Sequence, residues 1–168
     1  PKPSGEAGAR ASMELPNARA RLAEIIREKA FLTSEKFGRK FKLASGAYSD
    51  FYFDCRRVTQ DPEGSYLAAS ILLGAISRDG ATAVGGLESG AIPIATAIAL
   101  LSHLSGRPLR AFWVRRERKE HGTMGLIEGC LAKGDRAAIV DDVATTGSSL
   151  ARAIEAVRAE GCEVVGAY

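Results

Sequence analysis

From Asn17 onward, Leu22, Ile25 and Ile26 recur at helical spacing and predict an amphipathic helix to about Ala30. Phe51, Tyr52 and Phe53, behind a Ser-Gly turn, read as part of a strand. A second helix is expected from Asp61-Pro62, a cap followed by a first-turn proline; it carries Leu67, Ile71, Leu72 and Ile76 before Gly80 ends it. Ala81 to Leu87 reads as a short apolar strand. Glu88-Ser89-Gly90-Ala91 then turns tightly into an apolar helix from near Ile92, on which His103 is expected to pack. Further strands are expected at Leu109 to Val114, Ala137 to Val143 and Glu163 to Tyr168, with helices between them except across a charged loop from Arg115 to Gly129. Such alternation predicts an α/β fold, a parallel sheet wrapped by helices with ligands at the carboxyl ends of the strands. Residues 1–13, rich in Pro, Gly, Ala and Ser, read as a disordered or appended tail. One domain is then expected over 14–168, with an N-terminal part at about 14–60 and a core at about 61–168.

Composition adds mainly exclusions. A chain of 168 residues supports one domain with its own core. The net charge of +3, with 20 acids present, gives no general argument for a nucleic-acid partner. The longest apolar stretch, about Ala91 to Leu101, contains Pro93 and is shorter than the roughly 20 residues of a membrane span. Cys55, Cys130 and Cys162 are odd in number and share no metal-ligand spacing, which fits reduced thiols in a cytoplasm.

Charge becomes informative locally. Val140-Asp141-Asp142-Val143 places two adjacent carboxylates at a strand end, and Ala144-Thr145-Thr146-Gly147-Ser148-Ser149 then opens a helix. Such a turn can aim several N–H groups and hydroxyls at one phosphate, at the positive end of the helix dipole. The acids beside it are acceptors suited to ribose hydroxyls or to the water shell of Mg²⁺. A plain turn capped by Asp and Thr is the structural alternative, but a cap has no use for a second acid. In Arg115-Arg116-Glu117-Arg118-Lys119, four of five residues are cationic, and His121-Gly122 follow. Cations on a closing loop would stabilise a departing pyrophosphate more in the transition state than in the ground state. A solvated basic turn or a nonspecific nucleic-acid patch is the plainer alternative.

The run from Val140 to Ser148 resembles the phosphoribosyl-pyrophosphate (PRPP) signature of the type I phosphoribosyltransferases. Arg115-Arg116-x-x-Lys119-x-His121-Gly122, with Ile127-Glu128-Gly129 after it, looks like the catalytic loop of orotate phosphoribosyltransferases. Phe41-x-Leu43-x-Ser45-Gly46 and Ser49-x-x-Tyr52-x-Asp54 are similar to the hood that covers the pyrimidine in that family. All three segments come in the family's order.

The resemblance implies transfer of a phosphoribosyl group from PRPP to orotate, with Mg²⁺ on the PRPP, in a cytoplasmic homodimer whose loops reach the partner's sites. It implies that Asp141 and Asp142 hold the ribose hydroxyls, that Val143 and Ala144 to Ser149 grip the 5′-phosphate, and that Thr145, Tyr52 and Phe53 lie beside orotate. Arg115, Arg116, Lys119 and His121 would bind pyrophosphate, with Lys119 the main transition-state cation, and Glu88, Ser89, Gly90 and Ala91 would form the pyrophosphate loop. Gly90 stands where some relatives carry lysine, Arg116 where lysine is more usual, and Ala44 replaces a hood lysine. Relatives usually continue beyond the strand ending at Tyr168 to an arginine that binds the orotate carboxylate, so a missing C-terminal part, or another anchor, is expected. A phosphoribosyltransferase for another nucleobase and a non-catalytic PRPP sensor are the rival readings.

Overall fold

A computed structural model describes residues 15–43, 46–117 and 125–168. The tail at 1–13, Ala44, Lys119 and His121 lie outside the described residues. The main sheet has five strands in the order β7-β6-β5-β8-β9. They are β5 (Ala83–Leu87), β6 (Arg110–Val114), β7 (Ile127–Gly129), β8 (Arg136–Ile139) and β9 (Glu163–Ala167). β5 pairs in parallel with β6 and β8, and β8 with β9, as expected. β7 is the exception: it runs antiparallel to β6 with Phe112 opposite Gly129 and Val114 opposite Ile127. The loop expected to reach Gly129 therefore ends at a strand beginning at Ile127.

The central strand β5 reads Ala-Val-Gly-Gly-Leu and is buried along its whole length, as a parallel strand covered on both faces must be. Its glycines answer to space. A Cβ at Gly85 would lie 2.3 Å from the Phe112 carbonyl oxygen, and one at Gly86 would lie 2.1 Å from that of Val140. Helices α4 (Pro62–Arg78) and α5 (Ala91–Leu104) cover one face, where Ile76, Ile94 and Ile98 pack on Val84, Ala138 and Val140. Helix α6 (Ser148–Ala159) covers the other, where Ala153 and Val157 meet Phe112, Val114, Ala137 and Ile139. Asp61 caps α4 as its sequence implied, its carboxylate accepting the Gly64 N–H at 2.9 Å with Pro62 in the first turn. Helix α1 (Leu15–Ile25), continued by a π-turn at Ile26–Ala30, places Ala18, Ile25 and Ala30 against Val58 and Leu67.

The N-terminal part adds β1 (Phe31–Thr33), β2 (Phe41–Lys42), β3 (Tyr48–Ser49) and β4 (Phe51–Phe53), with two four-residue helices, α2 (Ser34–Phe37) and α3 (Arg56–Thr59). β1 pairs with β4 and β2 with β3, all antiparallel. Tyr52 leaves β4 on the side of Phe41 and stacks on it at 5.7 Å. Phe53 packs instead on Phe31 at 5.1 Å, as the alternation of a strand requires.

Two expectations need correction. His103 lies on α5 but is exposed; its neighbour Ser102 is the buried one, with its hydroxyl accepting the Leu109 N–H at 2.8 Å. The strand expected to run to Val143 ends at Ile139. Two further bonds, from the N–H of Val140 to Gly85 O and from that of Asp141 to Tyr168 O, carry the chain to the sheet edge, where it turns.

The far edge of the sheet is closed by charge. Asp135, 4% exposed, takes the Thr82 hydroxyl at 2.7 Å and the Ala132 N–H at 2.8 Å, and it pairs with Arg110. Burial alone would push its carboxyl up, but these donors together hold it below the usual carboxylate range. Among the described residues, no helix is long and apolar enough to cross a membrane.

Candidate active site

The carboxyl ends of β5, β6 and β8 open on one edge of the sheet, and the segments that follow them meet there. A cleft of about 240 Å³ is lined by Leu87, Glu88, Ser89 and Gly90 after β5, Arg116 after β6, and Asp141, Asp142 and Val143 after β8. Ser149 from the first turn of α6 joins them, with Tyr52 and Arg56 from the N-terminal part. The strand-end argument therefore brings together the acid pair, the 88–91 turn and the root of the cationic loop. Lys119 and His121 belong to the same loop but lie outside the described residues.

The acid pair is held at close quarters. The Asp142 N–H donates to Asp141 Oδ1 at 3.0 Å, so the first carboxylate braces the second peptide. Burial, together with the neighbouring Asp142 charge, pushes the Asp141 carboxyl above the usual range even against that hydrogen bond. The folded protein then binds this proton more tightly than the unfolded chain. Charged Asp141 therefore costs stability at neutral pH, and the cost disappears as pH falls through its raised folded value. Asp141→Asn should consequently raise the melting temperature at pH 7 while lowering activity. Melts at pH 7 and pH 5 should show the difference shrinking in acid, and a variant less stable than wild type at pH 7 would contradict this account.

Gly90 explains how the pair fits against the 88–91 turn. A Cβ there would lie 2.2 Å from Asp142 Oδ1 and 3.1 Å from Asp141 Oδ1, so the absence of a side chain lets the turn lie directly on the carboxylates. Ala91 is buried as the first residue of α5 and supports the turn from below. Glu88 does not present its side chain to the cleft as a free anion. Its Oε1 accepts the Arg116 N–H at 2.8 Å, and its carbonyl accepts Arg116 Nε at 3.2 Å. Arg152 of α6 donates to the Arg116 carbonyl from the other side. The root of the cationic loop is thus tied both to the 88–91 turn and to the helix after the acids.

Beyond Asp142 the chain forms a second, smaller pocket bounded by Val143, Ala144, Thr145, Gly147, Ser148, Ser149 and Leu150. Gly147, at φ 77°, makes the left-handed step that starts α6. Thr146 accepts the Ser148 N–H at 3.4 Å and donates to the Ser148 hydroxyl at 3.1 Å. First-turn N–H groups and hydroxyls converging at a helix start suit a phosphate.

Arg115, Phe53 and Thr145 stand apart from the cleft, Thr145 lining the smaller pocket instead. Arg115 pairs with Glu128 of β7 at 3.7 Å, so its guanidinium is already engaged. Phe53 is on the opposite face of β4 from Tyr52 and does not line the cleft. In the other direction, Arg56 lines the cleft unannounced by the sequence. Its only early signal was an arginine two residues after Asp54, whose carboxylate it meets at 2.8 Å.

Known proteins resemble this chain over most of its length. A model of the phosphoribosyl transferase domain matches residues 64–168. The chain is 48% identical over 152 residues to the orotate phosphoribosyltransferase of Rhodopseudomonas palustris (strain BisB5), covering 88% of this chain and 78% of that one. It is similar in structure to Mycobacterium tuberculosis H37Rv orotate phosphoribosyltransferase in complex with Fe(III) dicitrate, at a TM-score of 0.76 and 39% identity over 89% of this chain and 81% of that one. The same protein in complex with PRPP matches at a TM-score of 0.71 and 36% identity, over 89% and 80% of the two chains.

Proposed function

Because this chain belongs to the orotate phosphoribosyltransferase family, we propose that it transfers the 5-phosphoribosyl group of PRPP to orotate, giving orotidine 5′-monophosphate and pyrophosphate. The observation that carries this reading is the meeting, in one cleft, of the acid pair, the 88–91 turn and the root of the cationic loop, beside a phosphate-sized turn at the start of α6. The turn from Ala144 to Ser149 holds the 5′-phosphate and so fixes the ribose over Asp141 and Asp142. Their carboxylates accept the ribose hydroxyls and favour the positive charge that develops on the ring as its bond to pyrophosphate breaks. The leaving pyrophosphate is received by the 88–91 backbone and by Arg115, Arg116, Lys119 and His121. Arg115 must first exchange Glu128 for the anion. Tyr52 borders the pyrimidine from the cleft, Thr145 approaches it from the neighbouring smaller pocket, and Phe53 supports the hood from behind β4.

Oxygen donors at the acid pair suit a hard cation through its water shell. Such donors fit Mg²⁺ carried mainly by the substrate's phosphates. When bound, Mg²⁺ would offset charge accumulating on the leaving group. The odd number of cysteines, Cys55, Cys130 and Cys162, without metal-ligand spacing supports a cytoplasmic location.

The direct test follows orotate absorbance in the ultraviolet with PRPP and Mg²⁺. Orotate should be consumed only when both are present, and chelation should stop it. Preferential turnover of hypoxanthine, guanine or uracil would move the assignment to another base.

The enzyme acts as a two-fold dimer in which the cationic loop closes over the partner's site, a contact reciprocal by symmetry. Lys119→Ala and Asp142→Asn, each nearly inactive alone, should then regain roughly a quarter of wild-type activity after random subunit exchange, since about half the dimers are hybrids with one intact site of two. If each loop serves its own subunit, mixing restores nothing.

A further inference from the structure

The cleft carries a charge problem that the 88–91 turn does not solve. Asp141 and Asp142 line it, and the turn adds no cation of its own. A diphosphate placed there meets two carboxylates at distances where like charges repel strongly. Two cations line the cleft among the described residues, Arg56 and Arg116. Arg116 has its Nε on the Glu88 carbonyl, its N–H on the Glu88 carboxylate and its own carbonyl taken by Arg152.

Arg56 is placed differently. Its Nε is fixed on Asp54 Oδ1 at 2.8 Å, while its two terminal amino groups make no hydrogen bond among the described residues. The seat beneath it is firm: the Asp54 N–H bonds Ala30 O at 2.9 Å, the Val58 N–H bonds Cys55 O at 2.9 Å, and Val58 is buried in the core under α1. The bond to Asp54, followed by the charge of Asp54 and smaller contributions from Tyr52 and Asp142, holds the guanidinium firmly in its charged form. A planar fork with one edge anchored and the other free is suited to phosphate oxygens.

We propose that Arg56 is a substrate-contacting residue whose free guanidinium edge binds the diphosphate of PRPP across the cleft from Ser89 and Gly90. This rests on the PRPP reading above. It gives the leaving group a cation held by a packed scaffold, independent of the loop that carries Lys119. Preorganised charge of this kind stabilises the departing pyrophosphate without rearrangement.

The test is calorimetric titration of PRPP and of pyrophosphate, each with Mg²⁺, into the wild type and three variants, with KM for orotate measured alongside. Arg56→Gln should weaken both ligands by about 10- to 100-fold, the scale of one charge-assisted hydrogen bond, and leave KM for orotate within about twofold. Arg56→Lys keeps the charge and a link to Asp54, so it guards against a folding artefact and should fall between wild type and Gln. Arg57→Gln removes the same charge one residue away, where Arg57 also approaches Asp54 at 3.8 Å but does not line the cleft, and should bind PRPP as wild type. Unchanged PRPP affinity in Arg56→Gln, equal weakening in Arg57→Gln, or a rise confined to KM for orotate would each overturn the proposal. Because the readout is binding, a wild type that takes up PRPP yet leaves orotate unchanged would defeat the base assignment and leave this test standing.

Discussion

Asp142→Asn should lower kcat by about 10³-fold while leaving the melting temperature close to that of wild type. The carboxylate is half-buried at the sheet edge, outside the three packed clusters of the core, so little packing depends on it. What it supplies is charge facing the ribose. Removing one preorganised electrostatic group from an active site costs about 10²–10³ in turnover, and here the same group also orients the sugar. A loss seen mainly in kcat, with PRPP affinity nearly kept, would mark an interaction that strengthens in the transition state. Steady-state constants equal to wild type would remove Asp142 from the mechanism.

Gly90→Ala should cut kcat/KM by about 10²-fold through a single methyl group. Gly90 adopts φ −64° and ψ −39°, which any residue can adopt, so the backbone tolerates alanine. The obstacle is the Asp142 carboxylate, 2.2 Å from the added carbon at Oδ1 and 2.9 Å at Cγ. Either the turn lifts off the acids or the acids swing away, and a displacement of about 1 Å in a positioned group is enough for a loss of this size. Stability should change much less than activity, because the strain is relieved by moving two half-buried side chains at the mouth of the cleft, outside the packed core. A variant with wild-type kcat/KM would mean that the turn and the acid pair work independently.

Much of the site was legible because it is built from contiguous motifs. The acids and the hydroxyl-rich turn lie within Asp141 to Ser149, and strand alternation alone placed that segment beside Glu88 to Ala91 and the root of the basic loop. The parts that escaped reading depend on distant partners. β7 has three residues, too few for a period of two to register, and it exists because β6 offers an edge. β1 is hidden at the end of a helical pattern and is defined by its pairing with β4. Arg56 looked like one more exposed arginine because its relation to Asp142 is created by the fold. The separation of Tyr52 from Phe53 was readable in principle, since adjacent strand residues face opposite ways, but family likeness groups them by position in the chain.

The antiparallel edge strand has a consequence for how the family can vary. The Arg115 N–H bonds Leu126 O at 2.7 Å, so the two ends of the cationic segment are pinned side by side. With the ends fixed, doubling the length of the chain between them adds only about 0.6 kcal/mol of closure entropy. Insertions there are thermodynamically cheap. A one-residue slip in the pairing of β6 with β7 is not, because it would turn Glu128 to the opposite face of the sheet and release Arg115. Evolution is therefore free to lengthen or shorten this segment, but it must conserve the parity of the hairpin from which it springs.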